Sequence, residues 1–365
     1  MEYSIVYDER TLKRRISMWK NNQWIKLFFV LVVLSFPVAG TGQEKNQTPE
    51  AQGKSIGSGP AVLWRIPEDI ASRNLLYGSG GKQHEPRPTF TFLKEDLDGT
   101  SPKFEVLGQD EVKWKVKLGA EARSETAASR FLWAVGYFTD EVYFLSNMRV
   151  EDMPRRLKRG QKLVEPGGLL HDVRLEREPK GKKIGTWQWS HNPFTSTREL
   201  NGLRVMMALI NNWDLKNQNT AVYMRSDGDG DIIEGSGQTY LISDLGASFG
   251  AAGRAWPKSK SRNNLEQYSH SKFITKVTPD YVDFKAPGRP ALLYLPGLTQ
   301  FIMRLRLRWI GNHVPRADAK WMGQLLAQLS PDQIRDAFRS AGYSPQEVDG
   351  FAKVIETRIA ELNKL

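Results

Sequence analysis

The sequence predicts an α+β fold in which a strand-rich half is followed by a helix-rich half. Short segments of alternating apolar and polar residues, separated by turn residues, begin at Thr89. Helical periodicity takes over at Thr197 and returns from Leu292 to the C terminus. Strands and helices do not alternate regularly along the chain, so a parallel sheet built from βαβ units is not expected.

The composition is that of a globular protein and removes several classes of site. Of the 365 residues, 40% are hydrophobic and 25% are charged, which excludes wholesale disorder. Cysteine is absent, which excludes disulfides, cysteine-ligated zinc and thiol nucleophiles. The five histidines are scattered without the spacing of metal ligands. With 52 Lys and Arg against 41 Asp and Glu, the net charge is +11, which favours an acidic or phosphorylated partner.

Residues 1–42 are predicted to be a signal peptide or membrane anchor. The uncharged run LFFVLVVLSFPVA at 27–39 follows several basic residues and precedes the small residues Gly40 to Gly42. As a helix, this run would be about 20 Å long, short of a hydrocarbon core of about 30 Å. We expect an exported or anchored bacterial protein with its globular domain in the periplasm or outside the cell, whether or not the leader is cleaved. Met18 is an alternative start, and a core helix is the alternative interpretation of the run.

Three further regions are predicted. Residues 43–88 are rich in Gly, Pro and polar residues and are interpreted as a flexible linker. Residues 89–190 form a β-rich N-terminal part, and residues 191–365 form a helical C-terminal part.

The β-rich part is predicted to open with a three-stranded antiparallel meander. Its strands are TFTFL, KFEVL and VKWKVKL, separated by turn residues. A helix follows, with Ser124 as the expected N-cap and Gly136 at its end. Beyond the helix at Thr197, a hairpin is predicted from strands at 220–225 and 238–243. In the C-terminal helices, Ser330 and Ser344 precede prolines and are expected N-caps.

The strongest chemical signal is an Asp followed five residues later by an Asn, and then by an Asp-x-Gly triplet after a strand. These are Asp214, Asn219 and the triplet Asp244-Leu245-Gly246. Phosphoryl transfer needs a carboxylate to orient the attacking hydroxyl, and an Asn and a second Asp to hold Mg²⁺ on the phosphates. The motif therefore indicates a phosphotransferase loop.

The upstream strands supply a matching set of residues. Lys117 ends the third strand, where a lysine can contact the α and β phosphates of a nucleotide, and Glu125 in the next helix is its expected ion-pair partner. Lys113 and Lys115 alternate on the same face, so either could replace Lys117. The turn at Gly99, Thr100 and Ser101 could offer backbone N–H groups and hydroxyls to phosphate.

These residues, in this order, resemble the protein-kinase-like fold. Residues 89–365 are similar to its atypical members, namely the HipA-type, phosphatidylinositol-kinase-like and secretory-pathway kinases. The resemblance implies a small antiparallel-sheet lobe and a larger, mainly helical lobe, with ATP or another nucleotide between them and the segment Trp187–Asn192 beside the adenine. The sequence has no G-x-G-x-x-G, and it has Asn-Trp-Asp where His-Arg-Asp is usual.

The resemblance also implies roles for individual residues. Asp214 and Lys216 would act in catalysis. Asn219 and Asp244 would hold Mg²⁺ or Mn²⁺. The residues implied to bind the nucleotide are Lys117, Glu125, Gly99, Thr100 and Ser101. The acceptor is an unknown acidic, protein or lipid molecule.

Two other functions compete with this hypothesis. A kinase-like pseudoenzyme would serve as a binding or scaffold module of the cell envelope, where an ordinary ATP pool is absent. A serine hydrolase would use Ser248, which lies in a G-x-S-x-G sequence, with His270 or His313 as base. No predicted parallel sheet supports the hydrolase.

The remaining charged segments give weaker signals. The acidic run from Asp227 to Asp231 lacks the Gly and Glu spacing of a calcium-binding loop and is interpreted as a hairpin turn. Residues 154–183 hold ten Lys or Arg against four Asp or Glu and could meet lipid head groups or an acidic substrate. Because no aromatic stacking platform accompanies these charges, a nucleic-acid partner is not expected.

Overall fold

The fold is known from a computed structural model. It describes residues 60–87, 89–99, 101–179, 181–212, 214–225, 237–250, 262–285 and 307–365. The predicted leader at 1–42, Thr100 and the acidic run at 227–231 lie outside these ranges. Within them, no helix combines the length and the apolar character needed to cross a membrane.

Residues 90–177 form a closed five-stranded barrel. Strands β2 (Phe90–Asp96), β3 (Lys103–Gly108) and β4 (Lys113–Lys117) are an antiparallel meander, as predicted. Strand β7 (Leu169–Arg177) pairs antiparallel with both β4 and β5 (Val142–Glu151), and β5 pairs parallel with β2. The predicted small sheet is therefore not wholly antiparallel, because the β2–β5 pairing closes it.

Alternating apolar residues of β3 and β4 fill the interior of the barrel. In β3, every second side chain is buried, and β4 buries Trp114 and Val116 between its lysines. The inward residues form one apolar core, in which Phe104, Val106 and Leu175 are fully buried. Strand β6 (Val164–Glu165) extends the sheet beyond β7.

Helix α1 (Glu121–Ala134) connects β4 to β5 and packs against the barrel. Its N-cap is Ala120, and Ser124 lies inside the helix, so the predicted N-cap is wrong. The helix begins earlier because Gly119, at a φ of 91°, turns the chain directly after β4. Gly136, at a φ of 99°, follows the end of the helix, as predicted.

A second sheet lies next in sequence and carries the predicted hairpin. Strands β9 (Thr220–Arg225) and β10 (Gly237–Ile242) pair antiparallel, β8 (Lys182–Gly185) pairs with β9, and β1 (Ala61–Val62) pairs parallel with β10. Strand β8 ends at Gly185, before the buried residues Trp187 and Trp189.

The C-terminal part is mainly helical. Its helices are α2 (Arg198–Leu209), α3 (Leu265–Ser269), α4 (Arg316–Leu326), α5 (Pro331–Arg339) and α6 (Pro345–Asn363). Strands β11 (Ile274–Val277), β12 (Tyr281–Phe284) and β13 (Val314–Pro315) form a small sheet beside them. Ser330 and Ser344 cap α5 and α6 in complete capping boxes, as predicted. The described part is thus α+β.

The predicted linker does not extend over residues 60–87. Leu63, Ile70 and Leu75 in this segment are buried in the same core as α2 and α6. The side-chain Nε2 of Gln333 in α5 donates hydrogen bonds to the backbone carbonyls of Ile70, Ala71 and Arg73 at 2.8–3.1 Å. The segment has few regular elements, but its apolar side chains and carbonyl groups are fixed by the helical part.

Candidate active site

Lys117 lies at the centre of a cluster of carboxylates. It is the last residue of β4, and its side chain is 6% exposed. Its Nζ lies 2.8 Å from Glu125 Oε2, 2.9 Å from Glu121 Oε2 and 2.7 Å from Asp244 Oδ1. We call these four residues the Lys117 cluster. The ion pair with Glu125 is the one that the sequence predicts.

Helix geometry places two carboxylates on the same lysine. Glu121 and Glu125 are four residues apart in α1, so their side chains lie one above the other on the same face. The tight turn at Gly119 brings the first turn of the helix back over the end of β4. Lys117 can therefore reach both glutamates and Asp244 at once.

Glu125 is held from its other side by the barrel. Nη1 of Arg174, in the neighbouring strand β7, lies 3.1 Å from Glu125 Oε1, and Nη2 donates to Glu176 Oε2 at 2.9 Å. Arg174 is buried, and its partner in the β4–β7 ladder is Lys117. Because Glu125 has a cation at each oxygen, its position relative to Lys117 is fixed.

The opposite charges in the Lys117 cluster stabilise each other's ionised forms. Burial alone would lower the pKa of Lys117, but the carboxylates of Glu125 and Asp244 outweigh it and raise the pKa above the ordinary value. Burial would likewise raise the pKa of Asp244, but Lys117 holds it below the usual range. Lys117 and Asp244 are therefore both ionised at neutral pH.

The buried charges continue away from Lys117 to Asp140, in the loop between α1 and β5. Burial, together with the neighbouring carboxylate of Glu176, raises the pKa of Asp140 to about 7. Arg174 has the opposite effect on Glu176 and holds its pKa below the ordinary value, against the effect of burial. A hydrogen bond joins Asp140 to the side chain of Ser243, the residue before Asp244. The network thus connects the barrel to the segment after β10.

The Asp244-Leu245-Gly246 triplet packs against the same face of α1. Asp244 has a φ of 50°, and Leu245 is buried. A Cβ on Gly246 would lie 2.6 Å from Cβ of Glu121, closer than two carbons can pack, so only glycine fits here. Ser124 Oγ donates to the carbonyl of Gly246 at 2.7 Å, which joins the triplet to the helix.

The predicted catalytic loop reaches the triplet through its backbone. The carbonyl of Asn219 accepts from the amide of Ser243 at 3.0 Å, and the side-chain amide of Asn219 donates to the carbonyl of Asp214 at 2.6 Å. Lys216 Nζ lies 2.9 Å from Asp214 Oδ2 and helps to lower the pKa of Asp244. The structure therefore places Asn219 against Ser243, the residue before Asp244, and places Asp214 in contact with Asn219 and Lys216.

The turn between β2 and β3 also reaches the cluster. Ser101 Oγ donates to Glu121 Oε2 at 2.9 Å, and Gly99 has a φ of 65°. The guanidinium of Arg159 donates to the carbonyls of Asp96 and Gly99, which holds the turn from outside. Ser101 and Lys117 thus contact the same carboxylate oxygen of Glu121.

The three lysines of β4 differ in their neighbours. Lys113 is exposed, and Lys115 lies 3.7 Å from Asp96, in the strand two positions away. Of the three, Lys117 is the one that contacts both Glu125 and Asp244.

Sequence reasoning missed three residues of the site: Glu121, Arg174 and Arg262. Glu121 could have been found, because it lies one helical turn before Glu125. Arg174 lies on β7, next to β4 in the closed barrel, and no local pattern reveals that pairing. Arg262, which follows the triplet in the chain, contacts Glu121 Oε1 although the two residues are 141 positions apart, so no local pattern reveals this contact either.

The available donors suit a hard divalent cation. Asp244 offers a carboxylate that is 44% exposed, Asn219 has an amide oxygen not used in its bond to Asp214, and oxygen ligands are those that Mg²⁺ and Mn²⁺ take. Within the described ranges, no group of three or more His, Cys, Asp and Glu could hold a metal alone. An Asp, an Asn and phosphate oxygens together would complete such a site.

The geometry gives no support to the hydrolase. The side chain of Ser248 is fully buried, and its Oγ has no hydrogen-bond partner among the described residues. His270 Nδ1 is bonded to the carbonyl of Glu266, and the exposed ring of His313 stacks on Tyr281. A nucleophilic serine needs access to substrate and a base within hydrogen-bond reach.

Comparison with known proteins gives matches only among solved structures. No protein-family model and no curated protein matches the chain. The chain is similar to the Helicobacter pylori proinflammatory kinase CtkA, with 10% identity and a TM-score of 0.38 over 76% of this chain and 98% of that one. It is also similar to the Golgi casein kinase, with 10% identity and a TM-score of 0.28 over 76% and 73% of the two chains. Scores this low carry no functional assignment, which must rest on the Lys117 cluster.

Proposed function

We propose that this protein is a phosphotransferase with a two-lobed, kinase-like fold that binds a Mg²⁺- or Mn²⁺-nucleotide such as ATP. One observation carries the proposal: Lys117 contacts Glu125 of α1 and Asp244 of the triplet at the same time. Protein kinases place a lysine held by a helix glutamate, together with a metal-binding aspartate, around the phosphates of the nucleotide.

Each residue would have a distinct task. Lys117 would hold the nucleotide phosphates, and Glu125 would hold Lys117. Asp244 and Asn219 would bind the metal ion, which when bound neutralises charge on the phosphates. Asp214 would orient the acceptor hydroxyl and accept its proton, with Lys216 in contact with its carboxylate.

The compartment and the acceptor are also part of the proposal. The apolar run at 27–39 supports a signal or anchor that brings the chain to a membrane and exports its globular domain. The exposed basic residues Arg155, Arg156, Lys158 and Lys162 support an acidic acceptor. Fractionation of cells that express the full chain, with protease added outside the membrane, would locate residues 60–365.

A catalytically inactive binding module is the second candidate, and one observation favours it. The ammonium group of Lys117 already contacts three carboxylates, so a nucleotide would have to displace one of them. A module of this kind would keep the fold and the buried charges without transferring phosphate.

The first test is thermal unfolding of the full chain with and without ATP and MgCl₂ or MnCl₂. A ligand that binds the native state raises the midpoint, by about 2.7 kcal/mol of stabilisation at a hundred times its Kd. We expect a metal-dependent rise that is lost in Asp244→Asn and in Lys117→Met. Asp349→Asn, at an exposed position on α6, is the matched control and should keep the rise.

The outcomes separate the candidates. A metal-dependent rise together with release of ADP in the presence of an acidic acceptor would support the phosphotransferase. A rise in the unfolding midpoint without release of ADP, in the wild type and in Asp214→Asn alike, would support the binding module. No rise with millimolar ATP in the wild type would contradict nucleotide binding and with it the proposed function.

A further inference from the structure

Carboxylates surround the Lys117 ammonium, which donates hydrogen bonds to Glu125 and Asp244 and forms an ion pair with Glu121. An ammonium group has three N–H bonds, and Lys117 contacts three carboxylates, those of Glu121, Glu125 and Asp244, at 2.7–2.9 Å. A phosphate group can reach Nζ only if one of these carboxylates leaves. The structure shows which of the three is suited to do so.

Glu121 differs from the other two in its partners. Besides Lys117, it accepts from the hydroxyl of Ser101, in the turn between β2 and β3, and it contacts the guanidinium of Arg262 after the triplet. A hydroxyl, an ammonium and a guanidinium from three separate segments therefore converge on one carboxylate. This is the donor set with which proteins bind phosphate.

The alternatives would leave buried charges without partners. Displacement of Glu125, which is 5% exposed, would remove one of the carboxylates around the buried guanidinium of Arg174. Displacement of Asp244 would remove the proposed metal ligand. When a phosphate replaces Glu121, by contrast, Ser101, Lys117 and Arg262 each exchange one anion for another. Glu121 is the first residue of α1 and can turn outward without breaking the helix.

We propose that Ser101, Lys117 and Arg262 form a phosphate-binding site that Glu121 fills until a nucleotide displaces it. The inference rests on the proposed function and deepens it, because it names Arg262 as a further nucleotide-binding residue and Glu121 as a built-in competitor. Arg262 then binds a phosphate oxygen, and Glu121 sets the nucleotide concentration at which the site loads.

The test is calorimetric titration of the full chain with ATP and MgCl₂, and separately with sodium tripolyphosphate, which lacks the adenosine. Glu121→Gln removes the competing charge at constant size and should lower the Kd of both by about 3- to 10-fold. Glu121→Asp keeps the charge but shortens the side chain, and it should lower the Kd as well. Glu105→Gln removes a carboxylate of the same barrel that pairs with Lys94, and it should leave the Kd unchanged.

Arg262→Met distinguishes binding from mere support of Glu121. If Arg262 binds phosphate, its loss raises the Kd for tripolyphosphate about tenfold in the wild type and also in Glu121→Gln. If it only holds Glu121, the Kd falls or stays constant. Thermal midpoints of the variants show that each is folded.

The inference and the proposed function can fail separately. If the wild type binds ATP and Glu121→Gln binds it equally or more weakly, the inference is wrong and the proposed function stands. If the wild type does not bind ATP but Glu121→Gln does, the competing role of Glu121 is confirmed, and nucleotide binding by the wild type, with it the proposed function, is contradicted. If neither protein binds ATP or tripolyphosphate, both proposals are overturned.

Discussion

Two buried arginines, one in the barrel and one in the helical part, are stabilised in opposite ways. Arg174 in β7 is surrounded by the carboxylates of Glu125, Glu176 and Asp140, which raise its pKa although burial would lower it. Within the described residues, Arg358 in α6 makes six hydrogen bonds, all to neutral oxygens, and burial lowers its pKa.

Arg174 belongs to a network of charged groups, whereas Arg358 is a structural residue that joins two segments of the helical part. Arg358 joins the carbonyls at the end of α2 to those near α3, and it stacks over the ring of Tyr268 at 4.1 Å. Such a cation satisfies carbonyl groups and does not depend on pH over the physiological range. Arg174 instead belongs to titratable groups beside the proposed nucleotide site, so the stability of the barrel should respond to pH and that of the helical part should not.

The largest effect is expected for Arg358→Met. It leaves several buried carbonyls without donors, and we expect a loss of about 3 kcal/mol or more that is the same at pH 5 and pH 8. Urea unfolding at both pH values measures this. Arg335→Met in α5, which removes an exposed ion pair with Asp349, is the control and should cost far less stability. Equal losses of stability in the two variants would contradict the structural role of Arg358.

Arg174→Met should give a loss that depends on pH. Without the guanidinium, the effect of burial on Glu176 is less fully offset, so the folded pKa of this carboxyl group rises above its unfolded value. Stability is then retained at low pH and lost as pH rises through the folded pKa. We expect a loss of about 3 kcal/mol at pH 8 that is roughly halved at pH 5. A loss that does not change with pH would show that Arg174 acts as Arg358 does.

Asp140→Asn should remove a smaller pH dependence from the wild type. The folded pKa of Asp140, about 7, exceeds its ordinary value of 3.8, so the folded state holds a proton that the unfolded state has lost. Stability should therefore fall as pH rises from about 4 to 7, by about 1–2 kcal/mol because Asp140 titrates together with Glu176. The carboxyl groups with lowered pKa values act below this window. Unfolding midpoints across it should slope in the wild type and be flatter in the variant; equal slopes would contradict this assignment.

The smallest effect is expected for Ser248→Ala. Its buried hydroxyl has no hydrogen-bond partner in the described part, so its removal should change stability by less than about 0.5 kcal/mol. Nucleotide-dependent stabilisation should be unchanged. Hydrolysis of a p-nitrophenyl ester by the wild type, abolished in this variant, would restore the serine-hydrolase hypothesis.

The sequence predicted those elements whose stabilising contacts lie between residues close together in the chain. The β9–β10 hairpin follows from alternation around polar turn residues, and the capping boxes at Ser330 and Ser344 lie entirely within a few residues. The start of α1 was misplaced at Ser124 because that hydroxyl serves the carbonyl of Gly246, far away in sequence. A side chain that can cap a helix locally can be used in a tertiary contact instead.

Long-range pairing limited the prediction of the site. Resemblance predicted Lys117 with Glu125, and the contact is present. The closure of the barrel by β4 and β7, which brings Arg174 to Glu125, depends on strands more than fifty residues apart and has no local signature. Arg262 and Glu121 are also far apart in sequence, and their contact likewise has no local signature. The roles of these residues in nucleotide binding stay predictions until binding is measured.

The packing of residues 60–87 determines where the chain can be shortened. A fragment that begins at residue 89, where the strand pattern starts, would lose the side chains of Leu63, Ile70 and Leu75 from its core. It would also lose the parallel partner of β10, leaving the amide and carbonyl groups on that edge open to other chains. Such a fragment would expose an apolar face and a free strand edge together, the combination that leads to aggregation during expression.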